Sequence, residues 1–268
     1  MPYPFRIYPY DLFYFLTGTG NMSISFHQTL RYTGIILVMA LWSAPIVAGV
    51  SLTATRLIIS GVNETQEGGS SIGVRSDESS MHPFLVKAQI FRDIGGQDTS
   101  VPFVLSPALF RLEPGTTNQL RVIKKGAQLP QNKESLFYLR VAALPATQAL
   151  PQTEFVAPEG TLNVATGNII KLFYRPYGLP ITQKEAMGQL QFTVADNRLK
   201  VTNPTPYYIT LGSLTVNGKP VNIRGVREQN MIAPYGETLF ANPQLKGKVH
   251  WQAINDYGGQ EGFYGSIQ

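Results

Sequence analysis

The stretch GNIIKLFYRP, Gly167 to Pro176, reads as a buried strand. Ile169, Ile170, Leu172, Phe173 and Tyr174 form a nearly unbroken apolar run bounded by a glycine and a proline. Lys171 sits in its middle, Arg175 near its end, and the stretch holds no acidic residue. A cation with apolar neighbours on both faces costs free energy unless it snorkels to water or meets an anion.

Outward from this strand, the chain after Gly49 is a succession of short, alternating, β-branched segments, such as SLTATRLIIS, FLVKAQIF, SLFYLRVAALP, LQFTVADNRLKVTNP and KVHWQAINDYGG, separated by Gly, Pro, Asn and Asp. With no convincing amphipathic helix among them, they predict an all-β protein built of sandwiches. One such domain takes about 100 residues, so the roughly 220 residues after Ala48 hold two. The boundary falls in RPYGLP, Arg175 to Pro180, where two prolines and a glycine form a stiff elbow. The domains are therefore expected over residues 49–176 and 177–268, and Ala146 to Gly160 reads as a long loop before the apolar strand.

The first 48 residues have a different pattern. From Met22, Arg31 supplies a positive element, Ile35 to Trp42 an apolar run, and SAPIVAG a small-residue end. That is the pattern of a secretory signal peptide, with cleavage expected between Ala48 and Gly49. The apolar run is well short of the roughly 20 residues needed to span a bilayer, and Pro45 lies just beyond its end. Met22 is the expected start, and residues 1–21 an extension before it.

Composition narrows the function. The 268 residues are 43% hydrophobic and 11% aromatic, enough for packed cores. The formal charge is +5, and the 22 Lys and Arg residues are scattered, with Lys124 and Lys125 the one adjacent pair, so no nucleic-acid stripe is present. The chain has no cysteine, which excludes disulfides, thiol catalysis and thiolate metal sites. His82 and His250 read as structural, and no nucleophile elbow, metal spacing or phosphate loop appears. Neither catalysis, a cofactor, a metal nor a small-molecule substrate is expected.

Arg56 in SLTATRLIIS shares strand parity with Leu52, Ala54 and Ile58 and so projects from an otherwise apolar face. Taken singly, Arg56 and Lys171 each read as a snorkelling residue. Together, one near the start of the first domain and one at the domain junction, they point to a shared anion site.

At these residues the sequence resembles the periplasmic pilus-assembly chaperones of the chaperone-usher pathway. Seven pieces match in order: GVSLTATR, FVLSPALFRLEPGTTNQLRVI, KESLFYLRVAALP, IIKLFYRP, LKVTNPTPYYITLGSLTVNGK, MIAPYGE and WQAINDYGG. The resemblance implies two immunoglobulin-like domains set as a boomerang. It also implies a periplasmic location, and as partners pilus subunits and an outer-membrane usher. It makes Arg56 and Lys171 the anchor for a subunit's C-terminal carboxylate. Leu162, Val164 and Thr166 become the alternate side chains of a strand donated to an incomplete subunit, and Glu134, Arg175 and Asp256 an interdomain charge cluster. Family members divide by the length of the loop before the donor strand. Here the loop is longer than the short form yet lacks the cysteine pair usual in the long form, and the reading leans to the short form. A secreted structural or carbohydrate-binding protein is the alternative, with Tyr207, Tyr208 and Trp251 as its stacking aromatics.

Overall fold

The computed structural model describes residues 49–61, 69–126, 128–146, 166–224, 230–242 and 244–268. The signal-peptide segment, Leu162, Val164 and nearly all of the Ala146–Gly160 loop lie outside these.

The first sandwich packs two sheets. One runs β1 (Val50–Leu52), β3 (Gly69–Ser76), β7 (Thr117–Lys124), β5 (Phe103–Ser106). The other runs β2 (Arg56–Ser60), β9 (Thr166–Arg175), β8 (Ser135–Pro145), β4 (Phe84–Phe91), β6 (Leu109–Leu112). Period-two alternation sends one face of each strand inward. Ile72 and Val74, Leu120 and Val122, Leu57 and Ile59, Val86 and Ala88, Phe137 and Leu139, and Leu172 meet in a single buried core.

Two of the chain's crossings between these sheets are made by links of only two or three residues. Between β5 and β6 the chain turns through a cis Ser106–Pro107 bond. Between β1 and β2 it crosses at Thr53–Thr55, where the Thr53 N–H donates to the Gly73 carbonyl at 3.0 Å and its Oγ1 accepts from the Gly73 N–H at 2.9 Å. A Cβ on Gly73 would come within 2.7 Å of the Thr53 methyl, so the close approach requires glycine.

That crossover corrects the expected parity of Arg56. Leu52 belongs to β1 in the other sheet and Ala54 to the crossover itself, and alternation restarts at β2. Leu57 and Ile59 point into the core, so Arg56, Ile58 and Ser60 face away from it.

The second sandwich opens with the short helix α1 (Gln183–Met187), capped by a reciprocal Thr182–Glu185 capping box. Its sheets run β10 (Gln191–Ala195), β11 (Arg198–Thr202), β15 (Glu237–Phe240), and β13 (Lys219–Pro220), β12 (Ile209–Val216), β16 (Lys248–Ile254), β17 (Gln260–Ser266). The two-residue strand β14 (Met231–Ile232) also pairs with β12. Trp251 is 1% exposed at the centre of a separate core, against Phe192 and Phe263 at 4.8 and 5.8 Å between ring centroids. Its indole N–H donates to the Met187 carbonyl at 2.9 Å, which ties α1 to the sheet. Buried Asn203 holds the adjacent turns: its amide donates to the carbonyls of Tyr207 and Ala233, and its Oδ1 accepts from the Thr205 N–H and hydroxyl.

Candidate functional site at the junction of the two sandwiches

The sequence oddity at Lys171 and the one at Arg56 are neighbours. β2 pairs with β9 in parallel, and Arg56 lies directly opposite Lys171. On β9 the residues Leu172 and Tyr174 enter the core, so Lys171, Phe173 and Arg175 share the outer face with Arg56 and Ile58. Both cations therefore stand on the face turned away from the core.

Arg56 is held in place from the second sandwich. Its Nη1 donates to the Ile254 carbonyl at 3.1 Å, and its guanidinium lies over the Phe173 ring, 5.9 Å from the centroid. Burial pulls its pKa below the usual arginine value, against the opposing pull of Asp256 and Glu134. Its Nε is buried with no hydrogen-bond acceptor, so the group keeps an unspent donor.

Beside it, Glu134, Arg175 and Asp256 come together as one ion cluster. Arg175 Nε donates to Glu134 Oε1 at 2.8 Å, while its two terminal nitrogens grip the Asp256 carboxylate at 2.7 and 2.8 Å. The other Glu134 oxygen accepts from the Tyr208 N–H at 2.9 Å, and the Glu134 N–H donates to the Pro206 carbonyl. Glu134 and Arg175 belong to the first sandwich, and Asp256, Tyr208 and Pro206 to the second, so every one of these bonds to the latter three crosses the junction. Burial pushes the Glu134 carboxyl above its ordinary pKa even though Arg175 and the Tyr208 N–H pull it down. Arg175 is held above its own ordinary value by hydrogen bonds and charge from Asp256 and Glu134, which outweigh the burial that would lower it. Its guanidinium also covers the Tyr207 ring at 5.0 Å.

The turn carrying Asp256 is seated against the β1–β2 crossover. Gly258 has φ of 86°, and a Cβ there would fall 2.6 Å from Thr55 Oγ1, so both the conformation and the contact require glycine.

Above this cluster β9 has an open edge. It pairs with β8 from Thr166 to Tyr174, but with β2 only from Lys171 onward. Among the described residues no strand pairs with the other edge of Thr166–Ile170, and the Asn168 side chain donates to the Val50 carbonyl at 3.2 Å. Ile169 is 45% exposed on the outer face.

Arg56, Lys171, Glu134, Arg175 and Asp256, all named from the sequence, lie together at this junction. Sequence reasoning misses the Ile254 carbonyl and the Tyr208 N–H, since backbone groups leave no mark in sequence. Phe173 reads as core in the sequence; it packs instead against Tyr208 across the junction, 5.8 Å between centroids. Tyr207 and Trp251 are buried in the second core, which removes two of the three aromatics of the carbohydrate reading. His82 is exposed, and His250 stacks on Tyr264. No cluster of three or more potential metal ligands occurs among the described residues.

Comparison with known proteins fits this geometry. Residues 49–180 match the family described as "Pili and flagellar-assembly chaperone, PapD N-terminal domain", and residues 185–263 match "Pili assembly chaperone PapD, C-terminal domain". The chain is 34% identical over 234 residues to the probable fimbrial chaperone protein ElfD of Escherichia coli O157:H7, covering 87% of this chain and 92% of that one. It is 32% identical over 244 residues to the chaperone protein FimC of Escherichia coli K12, covering 89% and 94%. Among solved structures, the periplasmic chaperone SfaE superposes with a TM-score of 0.64 at 33% identity, over 82% of this chain and all of that one. A Salmonella enterica structure of SafA pilin in complex with the SafB chaperone gives 0.65 at 30% identity, over 83% and 98%.

Proposed function

We propose that this chain, which belongs to the family of pilus-assembly chaperones, captures a pilus subunit by its C-terminal carboxylate at Arg56 and Lys171 and completes the subunit's sheet with its own β9 edge. It then delivers the subunit to an outer-membrane usher. The family is one of chaperones rather than of enzymes.

The observation that carries this reading is the position of the two cations at the closed end of the open edge. A strand laid beside Thr166–Ile170 occupies the line that β2 continues from Arg56 onward. Running parallel to β9, as β2 does, it brings its C-terminus to Arg56 and Lys171. Running antiparallel, it would bring an ammonium to two cations. The charges thus favour a carboxylate and a parallel strand, with charge-assisted bonds of roughly 1.5 to 3 kcal/mol each. Main-chain bonding along the edge supplies affinity, and Leu162, Val164 and Thr166 fill pockets in the subunit. Glu134, Arg175 and Asp256 hold the two domains, 49–176 and 177–268, so that Ile254 can position Arg56.

The test is co-expression with a pilus subunit from a neighbouring gene. Wild-type chaperone should allow the subunit to be recovered folded, whereas Arg56→Ala and Lys171→Ala should each reduce recovery while the chaperone itself stays folded. Full recovery with both variants would refute the reading.

The same reading has the chain work in the periplasm, exported by the segment Met22–Ala48. N-terminal sequencing of periplasmic protein should begin at Gly49.

A further inference from the structure

Among the described residues, the sheets end in strands of two to five residues, with one exception. The exception is β17, seven residues long and matched to β16 at every position with no bulge. No described strand pairs with its far edge. Beyond its end, a single bridge joins Ile267 to Phe192, and the Gln268 N–H donates to the Phe192 carbonyl.

Long edges are ordinarily blunted by brevity, proline, lysine, a bulge or an inward-pointing charge, because their free N–H and C=O groups accept another strand. Of these β17 has only the last. Its one charge, Glu261, has the inward parity of Phe263 and is engaged within the chain, by the Asn255 amide at 3.0 Å and by Lys184 at 3.9 Å.

The side-chain pattern of β17 selects the occupant. Gln260, Gly262, Tyr264 and Ser266 share the solvent face, while Phe263 and Gly265 pack towards Trp251. One register about a twofold axis pairs all seven residues of two antiparallel copies, with the axis at Phe263. It sets Gln260 against Ser266, Glu261 against Gly265, and Gly262 against Tyr264. Tyr264 is 81% exposed, and its ring is stacked on His250 at 4.6 Å. In this register the ring covers the bare backbone of the partner's Gly262, and the contact occurs twice by symmetry. Aromatic cover of an edge glycine is a stabilising cross-strand arrangement. Shifting the axis to Gly262 would oppose Glu261 to Phe263, and shifting it to Tyr264 would leave only the five residues Gly262–Ser266 paired within the strands.

We propose that β17 is a self-association edge: two copies of this chain pair their β17 strands antiparallel about a twofold axis at Phe263, joining two sheets of the second sandwich into one. No residue of the Arg56 site takes part.

At about 3.3 Å per residue the paired strands are about 23 Å long, a small contact that makes a weak and reversible dimer. Sedimentation equilibrium of the purified protein from about 1 μM to about 1 mM should show concentration-dependent dimerisation. Tyr264→Lys should raise the dissociation constant about tenfold, since the substitution, present in both copies, removes both cross-strand contacts. A monomer across the whole range, or an unchanged constant in the variant, would overturn the proposal.

The register has its own test, because the chain is free of cysteine. Directly opposed residues lie about 4.5 to 5.5 Å apart at Cα, within disulfide reach. Oxidising a mixture of Gln260→Cys and Ser266→Cys chains should give mixed dimers at about five times the yield of either variant alone, because like positions lie about 20 Å apart. Equal yields would overturn the register and the proposal with it.

Discussion

The two open edges, Thr166–Ile170 of β9 and Gln260–Ser266 of β17, differ in what stands at their ends. The β9 edge stops at Arg56 and Lys171, beside an ion cluster that spans both sandwiches. The β17 edge offers glycine, tyrosine and amide, and its own Glu261 is already engaged. Backbone hydrogen bonding is the same at both, so it selects nothing. On the proposed readings, charge at the end of an edge selects a chain terminus and one strand direction, whereas a glycine and an aromatic two residues apart select a twofold copy.

The most severe way to break this contrast is to block the β9 edge. Replacing Leu162 and Val164 together with Asp should abolish subunit recovery while leaving the melting temperature of the free chaperone unchanged. Unfolding of the free protein would mark both as core residues instead.

Next comes the cluster behind the two cations. Arg175→Ala leaves two carboxylates without their partner, one of them 2% exposed in its side chain, and should cost about 3 to 5 kcal/mol in denaturant unfolding. Removal of Tyr264, which has no buried charge to strand, should be near neutral for the fold.

Arg56→Ala and Lys171→Ala should each weaken subunit binding by about 1.5 to 3 kcal/mol. Titration calorimetry of the double variant should show less than the sum of the two, since both groups act on one carboxylate.

The smallest effect is on pH dependence. Glu134 has a folded pKa above its ordinary value because of burial, so on acidification the folded protein binds its proton before the unfolded chain does. Its contribution to stability therefore falls as pH rises from the ordinary glutamate value through the raised one, and is constant above that. Glu134→Gln should remove this part of the slope in a series of urea unfolding curves.

Much of this is legible in the sequence, for identifiable reasons. Alternation and turn residues mark the strands, because each strand has one wet and one dry face. Lys171 stands out because a cation inside an apolar run is costly, whereas Glu134, Arg175 and Asp256 are grouped only by the resemblance to the chaperone family, since charges near turns are usually solvated. Sequence parity misplaces Arg56 because alternation is a property of one strand, and the crossover at Thr53–Thr55 resets it. Phe173 passes for core because an apolar side chain on a junction strand has the same appearance in sequence whether it meets its own sandwich or the next. The Ile254 carbonyl, which orients Arg56, has no side-chain signature at all.

The central claim is that Arg56 and Lys171 read a free carboxylate at the end of a parallel strand. The most direct measurement compares the affinity of the wild-type chaperone for two forms of a subunit's C-terminal strand peptide, one ending in the carboxylate and one in the amide. The amide should bind about 10 to 100 times more weakly, in line with the loss of charge-assisted bonds, and the gap should close in the Arg56→Ala, Lys171→Ala double variant. Equal affinity of the two peptides for the wild-type protein would contradict the account.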